Sequence, residues 1–231
     1  MKKQDLIFAA VIALFVLPFV TSATPYEIYK ELNVAHPYCL AYAKFAILAT
    51  LGEMLVLRIR TGVYKPENFG MITRAVVWGF YGVWIAIAMK TFAMGAPAMV
   101  ESLGVEGVVE AMRGGFSPEK LLGAFAISVM MNTAYGPVFM TLHKITDIHI
   151  VEHKGSISSL WSPIGMRRIF RTFDWETQWN FVIKRTIPLF WIPAHTITFM
   201  LPATSQVLFA ALLSIALGIL LSVQVAINNK R

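Results

Sequence analysis

The sequence is short of charge, and shorter still of acid. Of its 231 residues only 14% are charged, and 13 acidic against 20 basic side chains leave a formal net charge of +7. Soluble domains carry about 25% charged residues. With 57% of the residues hydrophobic, a domain of this size has more apolar surface than one soluble core can hide. Cysteine occurs once, at Cys39, which excludes an internal disulfide and leaves the redox compartment unread. There is no HExxH, no serine nucleophile elbow, no glycine-rich phosphate loop and no CxxC pair. Nor is there an internal repeat, a low-complexity stretch or a linker that would divide the chain. No catalytic residue and no cofactor is therefore assigned.

What is present is a series of apolar stretches. Leu6–Ala23, Pro37–Leu57, Ile72–Ala96, Leu121–Leu142, Trp179–Leu201 and Ser205–Ile227 each approach or exceed the ~20 helical residues that a bilayer core needs. Their length and uniform apolarity predict helices rather than the short alternating strands of a membrane barrel. The expected fold is all-α, a polytopic membrane bundle of about six transmembrane helices forming one domain over residues 1–231. Leu6–Ala23 also has the form of a secretory signal, with MKK before it and TSA at its end. An uncleaved first span is favoured by the charge distribution.

With the N-terminus inside and six spans threaded, five of the 20 cations face out, namely Lys30, Lys44, Lys90, Arg113 and Lys120. All the others face the cytoplasm, which under the positive-inside rule sets both termini there. The basic excess then reads as a topology signal and as affinity for an anionic bilayer, with no nucleic acid implied. In a prokaryote this is the inner membrane, and in a eukaryote an organellar one.

Two connections are longer than turns. Pro97–Pro118 reads as a short outer surface helix. GMRRIFRTFDWETQW, from Gly165 to Trp179, reads as an amphipathic helix on the inner face. The segment NFVIKRTIPLFWIPAHTITFMLP, Asn180–Pro202, raises a further point. Pro188 and Pro193 each remove a backbone donor, so a kink or break is expected in that span. Lys184 and Arg185 lie near its inner end, where they can snorkel to the headgroups.

Ionisable groups within spans are costly and are the first candidates for function. Lys44, Lys90 and His195 fall at similar depth from the outer face on three spans, and suggest an outer vestibule attractive to anions. Glu53 lies near the inner end of its span, followed by Arg58, and is either a pathway residue or an interfacial pair. Asn132 sits mid-span in an uncharged helix, where hydrogen bonding between helices is the plainer role. HKITDIHIVEH, His143–His153, places His149 and His153 at i, i+4, with His143 and Asp147 on a different face. One histidine pair supplies too few ligands, so no metal site is assigned.

Trp191, Pro193, Phe199 and Pro202, with the C-terminal span after them, resemble the signature of the Mpv-seventeen/peroxisomal-membrane-protein family. Pieces in the same order are AHP at Ala35–Pro37, the glycine and acid at Gly52 and Glu53, and GGF at Gly114–Phe116. The likeness covers roughly residues 35–227 and leaves the first span as an addition. One residue separates Trp191 from Pro193 where the family has them adjacent, and Thr198 stands where it usually has asparagine. The resemblance implies a small multi-helix protein of an organellar membrane and a pore-like role. Together these readings predict a channel or transporter for small anionic solutes, not an enzyme, with the lipid bilayer as partner and a homo-oligomer compatible with it. The alternatives are a non-transporting scaffold and, third, a metal-dependent membrane enzyme using the histidine cluster.

Overall fold

The computed structural model describes residues 3–228, and among these the secondary structure is all helical, with no strand. The helices are α1 (Lys3–Thr21), α2 (Ala23–Ala35), α3 (Pro37–Thr61), α4 (Met71–Ser102), α5 (Val108–Ala111), α6 (Pro118–Ala134) and α7 (Gly136–Glu152). After a 3-10 turn at Ile157–Leu160 come α8 (Met166–Thr172) and α9 (Trp175–Thr177). A π-helical segment, Gln178–Trp191, leads into α10 (Ile192–Met200) and α11 (Ala203–Asn228).

The chain forms two compact units, residues 1–40 and 41–231. In the first, α1 meets α2 directly. The stretch between the first two expected spans, Thr24–His36, is mostly helical, with Ser22 capping α2 by accepting from the Thr24 N–H at 3.3 Å. Lys30 pairs with Glu27 at 2.7 Å and lies over the Tyr26 ring.

The second unit is built around α6. Its small buried residues Ala124 and Ser128, with Ile127 and Met131, face α4 on one side and α10 on the other. Phe45 and Leu48 of α3, Trp78 and Tyr81 of α4, Phe199 of α10 and Ala210 and Ala211 of α11 complete the core. Glycine permits the closest approaches. A Cβ at Gly82 would lie 2.6 Å from the Ala41 carbonyl, and one at Gly52 would lie 2.6 Å from Ile215. Away from the core, Phe80, Met94, Phe125, Val138, Leu189 and Ile197 are exposed, an apolar coat on the outside of the helices.

By length and composition α3 and α4 can each cross a membrane, and α6 with α7 makes a third span if that pair is one helix broken by its 46° bend. Among the described residues two or three such helices stand where six spans are expected. The expected first and last spans include side chains outside the described residues, and Trp179–Leu201 is not one α-helix. The bend at Tyr135–Gly136 falls inside the expected span Leu121–Leu142, where Pro137 occupies the first turn of α7. Conversely, α4 runs through Pro97 to Ser102, beyond the expected end at Ala96, and only α5 remains of the outer surface helix. The expected amphipathic helix from Gly165 stops at Thr172. Asp174 starts a new turn by accepting from the Thr177 N–H at 2.9 Å, and those hydrogen bonds hold its carboxyl below its usual range.

The proline-rich stretch is a change of helical register. A proline in an α-helix lacks a donor and collides with the carbonyl four residues back. In the wider π turn bonds reach five residues back, as from the Ile192 N–H to the Ile187 carbonyl. Pro193 then falls in the first turn of α10, where no intrahelical donor is needed. Lys184 and Arg185 are exposed, the Lys184 ammonium 5.8 Å from the Trp179 ring centroid.

Candidate functional site

A cavity of about 660 Å³ lies between α3, α4, α7, the π segment and α11. Its walls are largely apolar, with Ala49, Val56, Phe139, Phe181, Val182 and Ile215 among them. One side is charged. Arg74, buried on the first turns of α4, donates from Nη1 to Glu53 Oε2 at 2.9 Å and pairs through Nη2 with Asp147. Its Nε donates to the Phe69 carbonyl at 2.7 Å, and its guanidinium lies over the Phe69 ring. Each guanidinium nitrogen thus has an acceptor, as a buried charge requires.

Glu53 is equally committed. Its Oε1 accepts from Trp78 Nε1 at 2.9 Å and lies 3.5 Å from His143 Nε2. The His143 ring stands 4.4 Å from that of Trp78, with Tyr81 and Phe139 around it. Lys144 reaches Asp147 at 3.5 Å. The network joins three helices: Glu53 from α3, Arg74 and Trp78 from α4, and His143, Lys144 and Asp147 from α7. At the far wall Trp191 closes the π segment, its indole N–H buried without an acceptor. Such a group costs about 1–3 kcal/mol.

The loop between α3 and α4 is held to the end of α7 by backbone contact. Gly70 and Gly155 both have positive φ, and a Cβ on Gly70 would lie 2.6 Å from the Gly155 Cα. Thr73 donates to the Gly155 carbonyl at 3.1 Å. This clasp fixes where α4 begins, and so where Arg74 stands.

Of the residues singled out in the sequence, Glu53 and Trp191 line the cavity, and Lys44, Lys90, Asn132 and His195 do not. Lys44 is buried on α3 and Lys90 is exposed on α4. Asn132 and His195 meet each other: the Asn132 amide approaches His195 Nδ1 at 3.0 Å and donates to the Ser128 carbonyl at 2.8 Å. Ser128 Oγ in turn donates to the Ile192 carbonyl at 2.7 Å, tying α6 to α10. Of the family-like residues, Phe199 is in the core, while Pro193 and Pro202 are exposed at the two ends of α10. His149 and His153 are engaged by backbone. His149 Nε2 lies 3.0 Å from the Ser159 carbonyl and His153 Nδ1 lies 2.8 Å from that of His149. Among the described residues no three His, Cys, Asp or Glu side chains are grouped to hold a metal.

Arg74 is the residue that sequence reasoning placed elsewhere, as one of the cytoplasmic topology charges. Its position in an apolar stretch, with Glu53 in the preceding one, is the available signal. His143 and Asp147 share a face, as their spacing predicts, and that face meets the cavity.

No protein-family model, curated protein or solved structure matches this chain.

Proposed function

We propose that the chain is a multi-pass membrane protein, a channel or transporter whose solute path runs through the cavity beside Glu53, Arg74 and Asp147. The observation that carries this reading is the charged network on one wall of a largely apolar chamber, its members on candidate membrane helices. Charge in that setting is expensive, and it persists where a pathway or a solute uses it. The topology we propose has six spans: α1, α3, α4, the bent α6–α7 pair, the π segment with α10, and α11, with both termini cytoplasmic. The charge bias of the sequence supports it. So does the resemblance to the Mpv-seventeen/peroxisomal-membrane-protein family, whose membership we hold as part of the same proposal. The role is non-enzymatic.

Small anions are the first solute class to test, since Arg60, Arg74 and Lys144 all line the chamber. Glu67 and the two network carboxylates balance them, so zwitterions belong in the same panel. Purified protein in liposomes should pass one class selectively. Val182→Trp fills the chamber from the π segment and should cut that flux at least ~10-fold in folded protein, about 1.4 kcal/mol of barrier. An absence of flux for anions, zwitterions and cations alike would favour the non-transporting scaffold.

The orientation has its own test. Cys39 is exposed, and the proposed topology puts it near the outer surface. A membrane-impermeant thiol reagent should label it in intact cells. Labelling that needs permeabilisation would reverse the topology.

A further inference from the structure

We propose that a second cavity, away from the solute path, is a binding site for the phosphate headgroup of an anionic phospholipid in the leaflet at the α8 end of the molecule. This cavity, of about 920 Å³, is lined by Arg167, Arg168 and Arg171 of α8, with His153, Ser162 and Thr172 beside them. It rests on the membrane-spanning reading above and is independent of whether a solute is moved.

The arginines are held in place from below. Ile169 and Phe173 are buried against Ile145 and Ile148 of α7, which pins α8 to the end of the bent pair. Arg167 and Arg171, one turn apart, share a face, each about 160° from Ile169 at ~100° per residue. They are therefore turned outward together, and both are exposed. Arg168 is steadied by Glu152, at 2.5 Å across to α7. Neither Arg167 nor Arg171 has a carboxylate partner among the described residues. The cavity thus carries two uncompensated guanidinium groups, each able to fork onto phosphate oxygens, with hydroxyl donors at Ser162 and Thr172.

The surroundings decide between a soluble anion and a lipid. Trp161, Ile164, Phe170 and Trp175, from the same stretch of chain, are exposed large apolar side chains. Exposed aromatic and aliphatic residues next to paired arginines suit the headgroup boundary, where rings lie among acyl chains and cations meet phosphates. A site for free phosphate has no use for such exposed apolar neighbours. Basic pockets at the ends of membrane helices take anionic headgroups for the same reason.

The test uses the full chain, purified in detergent and followed by native mass spectrometry during titration with phosphatidic acid, phosphatidylglycerol or phosphatidylcholine. Anionic lipid should bind at least ~10-fold more tightly than phosphatidylcholine, and the preference should weaken in high salt. Arg167→Gln with Arg171→Gln should remove that preference, whereas Arg167→Lys with Arg171→Lys should keep part of it. Arg113→Gln, at an exposed cation remote in sequence, serves as the control and should change nothing. Equal affinity for charged and zwitterionic lipid, or an undiminished preference in the glutamine variant, overturns the proposal. Displacement of lipid by millimolar inorganic phosphate, with phosphate binding lost in the same variant, replaces the lipid with a soluble anion. Flotation of the protein with phosphatidylcholine vesicles after alkaline extraction checks the underlying membrane reading separately, and failure to float overturns both.

Discussion

Replacing Arg74 with leucine should destabilise the protein by roughly 2–4 kcal/mol, measured as unfolding in mild detergent. The guanidinium is buried, and its loss leaves Glu53 and Asp147 facing each other across an apolar wall without their shared counter-charge. Removing one partner of a buried pair costs about 3–5 kcal/mol, and the partial exposure of the two carboxylates lowers that here. The sharper expectation is non-additivity. Adding Glu53→Leu and Asp147→Leu to Arg74→Leu removes the stranded charges and should return most of the lost stability. If the triple variant is less stable than Arg74→Leu alone, the network is held together by geometry that leucines cannot replace. The triple variant also separates stability from function, since a folded protein without the charges should lose selectivity in the liposome assay.

The second large effect is expected at Gly70. Its positive φ disfavours any side chain, and a Cβ would meet the Gly155 backbone at 2.6 Å. Because the obstacle is main chain, no rotamer change relieves it. Gly70→Ala should cost about 2–4 kcal/mol from the left-handed backbone and overpacking together. Gly62→Ala provides the comparison: its φ is also positive, but a Cβ there would meet only the Arg58 side chain, at 3.7 Å. It should cost about 1–2 kcal/mol, the backbone contribution alone. Equal losses at the two glycines would show that the clasp between the loop and α7 contributes nothing.

The helical class was legible because apolar runs of this length have few alternatives. Two helix starts were also close: the expected spans from Pro37 and Ile72 match α3 and α4, which begin at Pro37 and Met71. The bend at Gly136 carries a signal in its Gly-Pro pair, masked by the uniform apolarity of the surrounding stretch. The site was half legible. Glu53 stood out as a carboxylate in an apolar run, and the shared face of His143 and Asp147 followed from their spacing. That Arg74 bridges Glu53 and Asp147, with His143 joining through Glu53, depends on how α3, α4 and α7 are set against one another. The Gly70–Gly155 clasp fixes that register, and it couples positions far apart in sequence by backbone contact and the Thr73 hydrogen bond. Depth counted along single spans likewise grouped Lys44, Lys90 and His195, but depth says nothing of which way a side chain faces. His195 turns to Asn132, and Lys44 and Lys90 differ in burial.

The π segment has a consequence for how the chain tolerates changes in its own length. A turn bonded five residues back holds one residue more than a turn bonded four back. Loss of a residue within Gln178–Trp191 can be absorbed by letting one wide turn close, with Ile192–Met200 still hydrogen-bonded to α6 through Ser128 and Asn132. The same deletion in α6 has no slack to draw on. It would rotate everything beyond it by about 100°, carrying Ser128 and Asn132 away from α10. Length variation in this protein is therefore expected to collect in the proline-rich segment and to spare the small-residue helix beside it.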